Sequence, residues 1–327
     1  MSTGYEFTER SELDTAVNLW ISNEASAKET YGEINDWNVT KINDFSDLFL
    51  NETIFDSDIS NWDVSNGTDF SGMFDGAEEF NQDIGNWDVS KGTDFSGIFR
   101  DATLFNQDIG DWDVSKGTDF SGMFRNASEF DQDLGDWDVS NGTDFEDMFE
   151  DASEFNQDIG NWDVSSGTDF RDMFSLALNF NQDIGNWDVS KALSFNEMFY
   201  KASAFNQDIG DWDVSNGERF DYMFSEAASF NQDLSSWNIN ENASLNSMFI
   251  GADRMQSNHG VGDTPSIYYF NSYVFTDRST LQTAIDAWIE DPDAAKETYG
   301  EINDWDVSEI SDFSSLFENK STFDSDI

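Results

Sequence analysis

Two rows of aspartates are the residues of this chain best equipped for chemistry. Asp63, Asp88, Asp113, Asp138, Asp163, Asp188 and Asp213 recur every 25 residues, and Asp58, Asp83, Asp108, Asp133, Asp158, Asp183 and Asp208 recur in step with them. If successive coils of the chain stack about 5 Å apart, each row becomes a ladder of like charges, which needs something to offset it. Oxygen-rich ladders suit Ca2+, so the first row is a candidate Ca2+ ladder. The alternative is that the aspartates cap turns or are solvated. No EF-hand loop and no Gly-Gly-x-Gly-x-Asp repeat accompanies them. The one histidine, His259, has neither a cysteine nor a second histidine with which to share a metal or a proton, and reads as a solvated linker residue. No phosphate loop or nucleophile elbow occurs. Paired carboxylates are repeated identically, whereas a hydrolase needs one distinctive pair. The expectation is a protein without enzymatic activity, with no catalytic or cofactor-binding residues and no cofactor beyond the candidate Ca2+.

The rows exist because the chain is a tandem array. Phe80-Asn81-Gln82-Asp83-Ile84-Gly85-Asn86-Trp87-Asp88-Val89-Ser90 returns every 25 residues, and Trp37 through Trp237 mark nine copies. A fixed period of this size is the signature of stacked repeats. Within one copy Trp87-Asp88-Val89 alternates in, out, in, which predicts a short strand. Phe95, Ile98 and Phe99 at i, i+3, i+4 after Thr93-Asp94 predict one or two helical turns. The fold expected is therefore a right-handed α/β solenoid of about nine 25-residue coils, each with a short parallel β-strand and a short helix. Rows of Phe (Phe45 to Phe220 and Phe49 to Phe249), Met and Ala form its core. Asn81, Asn106, Asn156, Asn181, Asn206 and Asn231 are expected to form a buried amide ladder. A helix over residues 11–23, with Ser11 as its N-cap, and a second around Glu24–Tyr31 would cap the first coil.

The domains follow: a helical cap at 1–36, the repeat array at 37–258, a linker and β-like segment at 259–278, and 279–327. The last repeats residues 11–59 at an offset of 268, with 30 of 49 positions identical. It reads as a second cap plus first coil, either opening a further unit of a longer protein or docking on another chain.

Composition narrows the partners. Lys+Arg is 15 against Asp+Glu 68, a formal charge of −53, which excludes a phosphate-neutralising nucleic-acid track and disfavours anionic membranes. Aromatic residues at 16% and in register argue against disorder. There is no cysteine, so no disulfide framework. No apolar window long enough to span a membrane and no classical signal peptide is visible.

The block Phe-Asn-Gln-Asp-Ile-Gly-Asn-Trp-Asp-Val-Ser…Thr-Asp-Phe-Ser-Gly-Met-Phe resembles the repeat of BspA-like surface proteins, the mycoplasma-lipoprotein repeat grouped near the leucine-rich repeats. The resemblance covers residues 33–255 and 301–327. It implies an extracellular, cell-surface or virion-surface protein for adhesion, with a protein or glycan as ligand. Alternatives are a structural subunit whose copies join end to end as a fibre, sheath or phage appendage, and a Ca2+-binding extracellular module. Two departures stand out. Gly67, Gly92, Gly117, Gly142 and Gly167 stand where the repeat usually has Val, and Phe follows Thr-Asp where it usually has Met. No lipid-anchor cysteine is present.

Overall fold

The computed structural model describes residues 4–318, 320, 321 and 323. Helix α1 (Arg10–Ser22) buries Leu13, Ala16, Val17 and Trp20, and α2 (Glu24–Tyr31) buries Ala27. Glu9, not Ser11, precedes α1. Its first turn is tied by Glu12, whose carboxylate accepts the Thr8 N–H and the Tyr5 hydroxyl. Trp20 meets Trp37 edge-on, and Phe7 packs on Trp37. The helices thereby close one end of the array.

From Trp37 onward 25-residue coils stack, and the aromatic rows become continuous columns. Phe74, Phe99, Phe124, Phe149 and Phe174 lie ring on ring 5.5–5.7 Å apart. Each also packs at 3.9–4.0 Å on a phenylalanine six residues later in its own coil. Burying an indole demands a partner for its N–H. Trp62, Trp112, Trp137, Trp162, Trp187, Trp212 and Trp237 each donate to the carbonyl of the residue 28 positions earlier, in the preceding coil.

The expected α/β solenoid, with a parallel strand and a helix in every coil, is not what forms. Among the described residues the coils contain neither. They are runs of turns, and parallel pairing shrinks to isolated bridges in the row Asp44, Asp69, Asp94, Asp119, Asp144, Asp169, Ser194, Arg219 and Ser244. Trp-Asp-Val fails as a strand because turns pinch it on both sides. The Trp112 N–H bonds Ile109 O, and the Gly117 N–H bonds Val114 O, so both groups serve local turns rather than a lateral ladder. The Phe95–Phe99 helix fails for another reason. Residues 47, 51, 72, 76, 97, 101 and their equivalents sit at φ of +53° to +73°, in the left-handed region that a right-handed helix cannot contain. Alternate N–H groups then divide their bonding. Phe95, Gly97, Phe99 and Asp101 donate to Asp119, Ser121, Met123 and Arg125 of the next coil, while Ile98, Arg100 and Ala102 close turns onto residues three earlier. A positive φ at the third residue of such a turn is the type II geometry.

The asparagine row does bond coil to coil. Asn81 Oδ1 accepts the Asn106 N–H at 3.0 Å and the Gln107 amide at 2.8 Å. Its members are half-buried rather than buried, and Asn81 is exposed.

The two departures from the usual repeat are coupled. A Cβ on Gly117 would stand 2.4 Å from the tip of the Phe120 ring. In the inner coils large Phe after Thr-Asp is thus matched by small Gly before it, while the first coil carries Ile42 before Phe45. Where Ala192 occupies this place, the gap between Phe170 and Phe195 is 6.1 Å, against 5.4 Å between Phe145 and Phe170. Gly117→Val is expected to destabilise by about 2–3 kcal/mol through overpacking. Adding Phe120→Met should return at least half of that in a denaturant melt, and an unchanged deficit would show that the two positions are independent.

At the far end a helix opens the expected polar linker, and the expected β-like run is a 3-10 turn over Ile267–Tyr269 followed by one parallel bridge, Val274 to Asp306. Helix α3 (Asp253–His259) buries Met255 and stops at Gly260, whose φ is +65°. Phe270 stacks on Trp237 where a further Trp would stand. Asn271 then brackets Ile239, donating to its carbonyl at 2.6 Å and accepting its N–H at 3.2 Å. A side-chain amide supplies the bonds a next coil would supply, so no strand is needed. The second copy repeats the first cap: α4 (Arg278–Glu290), α5 (Pro292–Tyr299), and Trp288 edge-on to Trp305. Its buried residues form a hydrophobic cluster separate from that of the array.

Candidate binding surface

The aspartate rows hold turns. In the first, Asp63, Asp88, Asp113, Asp138, Asp163, Asp188 and Asp213 each accept the N–H of the serine two residues on, at 3.0–3.1 Å. Asp58, Asp83, Asp108, Asp133, Asp158, Asp183 and Asp208 do the same for residues two ahead, at 2.9–3.1 Å. This is the local side-chain-to-backbone turn that Asp favours. The serine hydroxyls and N–H groups hold the carboxyls of Asp88, Asp113, Asp163 and Asp188 below the ordinary aspartate range. Among the described residues no three Asp, Glu, His or Cys side chains converge to hold a metal. Melts in CaCl2, MgCl2 and NaCl should therefore rise together at matched ionic strength, because screening relieves a −53 chain whichever cation supplies it. A rise specific to Ca2+ at micromolar concentration would make the ladder a metal site.

The residues that sequence reasoning passed over lie elsewhere on each coil. Residues 46, 47, 50 and 51 and their equivalents form a strip along the array on which the copies stop agreeing. Row 47 reads Asp47, Gly72, Gly97, Gly122, Asp147, Asp172, Glu197, Tyr222, Ser247. Row 50 reads Leu50, Asp75, Arg100, Arg125, Glu150, Ser175, Tyr200, Ser225, Ile250. Row 51 reads Asn51, Gly76, Asp101, Asn126, Asp151, Leu176, Lys201, Glu226, Gly251. Rows 47 and 51 are the left-handed positions of the turns. Their N–H groups join the coils, as Asp172 to Asn196 O and Leu176 to Tyr200 O, while their side chains are exposed or half-buried. The clue was in the sequence as mismatches between copies, but only the turn geometry gathers them on one strip.

The strip is electrostatically uneven. Toward its N-terminal end cations and acids alternate. Arg100 lies across Gly97 and Gly122, 3.5 Å from Asp75, and Arg125 bridges Asp147 at 2.9 Å and Glu150 at 2.6 Å. Arg171 is engaged by Glu146 and Asp169. Next to these, Asp172 pairs with no cation among the described residues. Burial lifts its carboxyl to about 7, with Glu197, Asp147 and Glu150 adding to the rise and the Ser175 hydroxyl opposing it. Burial likewise raises Asp147, Glu150 and Asp151. Beyond them the strip turns apolar and aromatic, with Leu176, Tyr200, Tyr222 and Ile250.

His259 is not a linker residue. It ends α3 and lines a cleft of about 710 Å3 between the last coil and the second cap, with Tyr268, Tyr269, Lys296 and Glu301.

A family model described as "Mycoplasma protein of unknown function, DUF285" matches residues 19–133, 108–206, 185–288 and 293–327 in overlapping tandem segments. No curated protein and no solved structure matches the chain.

Proposed function

The chain belongs to the DUF285 family of tandem repeats, and from that premise we propose that it is a non-enzymatic, surface-displayed binding scaffold of the BspA-like kind. Its core rows build a stiff support, and its binding face is the strip of turn residues. The observation that carries this reading is where bulky side chains accept left-handed backbone. Gly72, Gly97 and Gly122 occupy the position without strain. Leu176, Glu197, Lys201, Tyr222 and Glu226 occupy it at φ of 53–59°, where such residues carry a penalty of about 1 kcal/mol or more each. Glycine or asparagine would serve the fold better at all five. A stability cost concentrated on one face, at residues whose side chains point away from the core, supports selection for what that face touches.

Replacing Leu176, Glu197 and Tyr222 together by Asn tests the reading. The variant should melt no lower than the parent while losing retention on the surface proteins or glycans that the parent binds in an array screen. Undiminished retention would remove the strip from the function. A clear loss of stability would show that the residues serve the fold.

A further inference from the structure

We propose that coils six to eight form a docking surface for a basic, apolar protein segment, with Leu176, Tyr200 and Tyr222 seating its apolar side chains and Asp172 and Glu197 its cations. This rests on the reading of the strip as the binding face.

The apolar residues lie on successive coils. Leu176 donates its N–H to Tyr200 O at 2.7 Å, placing these residues on adjacent coils, and Tyr222 follows on the next. Tyr222 is 42% exposed. On either side of Tyr200 in its row stand the buried serines Ser175 and Ser225, so small residues flank the Tyr200 position in both neighbouring coils. Tyrosine is a rigid anchor of the kind enriched at interface hot spots.

The charges at its edge identify the partner. Among the described residues Asp172 and Glu197 form no ion pair, and Asp172 lies among Glu197, Asp147 and Glu150. The nearby cations are occupied: Arg125 by Asp147 and Glu150, Arg171 by Glu146 and Asp169. Lys201 lies over the Tyr200 ring at 4.7 Å and pairs with Glu226 at 3.7 Å. With Lys+Arg at 15 against Asp+Glu at 68, cations are scarce along the chain. A partner's Lys or Arg beside Asp172 and Glu197 would relieve their repulsion, and electrostatic complementarity of this type sets partner choice and association rate.

The probe is a sixteen-residue peptide repeating Lys-Ala-Leu-Lys, with Lys-Ala-Ala-Lys as its equally charged control, measured by fluorescence anisotropy at physiological salt. The parent should bind the leucine peptide at least tenfold more tightly than the alanine peptide. The variant Asp172→Asn/Glu197→Gln/Tyr222→Ala should lose that preference. Asp113→Asn/Asp138→Asn, which removes charge on another part of the coil and keeps the turn acceptor, should retain it. Equal weakening in both variants would reduce the effect to bulk charge and overturn the proposal. No preference in the parent would overturn it as well. In either case, a strip variant that still lost retention in the array screen would leave the binding-face reading standing with a different partner, whereas one that lost nothing would end both.

Discussion

Phe124→Ala is expected to destabilise the array by about 3–5 kcal/mol, the range for truncating a fully buried Phe. Phe124 is fully buried and lies 5.7 Å from Phe99, 5.5 Å from Phe149 and 4.0 Å from Phe130, with Trp137 at 6.4 Å. The cavity would therefore open on rings of three successive coils at once. Each coil touches only its neighbours, so the stability of such an array is close to a sum of coil and interface contributions. A hole at this interface weakens the one link between the coils before it and those after it. The measurable result is a drop in melting temperature of roughly 4–7 °C for a chain of this size. The calorimetric transition should also broaden or split as the two halves uncouple. A drop of only one or two degrees would mean that the neighbouring rings close over the gap, and that the columns are less rigid than their stacking implies.

Stability is expected to fall as pH rises from about 5 to 8, and Asp172→Asn should remove a large part of that fall. The folded-state carboxyl of Asp172 sits near 7, above its ordinary value of 3.8. Between those two values the folded chain holds a proton that the unfolded chain has released. Stability linked to this group is therefore greatest at low pH, declines through the window and levels off above 7. Asp75, Asp144, Glu146, Asp147, Glu150 and Asp151 are raised by burial in the same direction and add to the slope. The turn-holding Asp88, Asp113, Asp163 and Asp188 are shifted the other way, so their contribution is lost only as pH falls below the ordinary aspartate range. The stability maximum should accordingly lie near pH 4–5. Asp172 is partly open to solvent, and screening reduces its share to about 1–2 kcal/mol. At pH 8 the Asn variant should melt a few degrees above the parent, and the gap should narrow as pH falls and close only below about 4. Parallel pH profiles for the two proteins would show that Asp172 is ionised throughout and solvated.

The carboxylates were legible as rows but not as roles. Asp88 and Asp172 are both repeat-position acids, yet one accepts two hydrogen bonds in its own turn and the other is pressed among Glu197, Asp147 and Glu150. Nothing in the residue types separates them. Their separation depends on which positions of a coil face inward, and that depends on the turn geometry. His259 illustrates the same limit, because the cleft it lines exists only where the second cap approaches the last coil.

From its sequence alone this protein is a tandem array with a period of 25 residues, capped by two helices and carrying a second copy of that cap, with its Trp, Phe, Met and Ala rows as core. Those features follow from spacing, and spacing survives any local detail of the backbone. The conformation inside each coil was decided only in the stack. Phe95, Ile98 and Phe99 have helical spacing, but the N–H groups of alternate residues find carbonyls in the next coil, and reaching them requires left-handed residues at Gly97 and Asp101. Coil-to-coil bonding and aromatic columns thus outweigh the local preference for a helix or strand. The same left-handed turns place row 47 beside row 51 and so create the strip, because a binding face assembled one residue per coil has no contiguous sequence of its own.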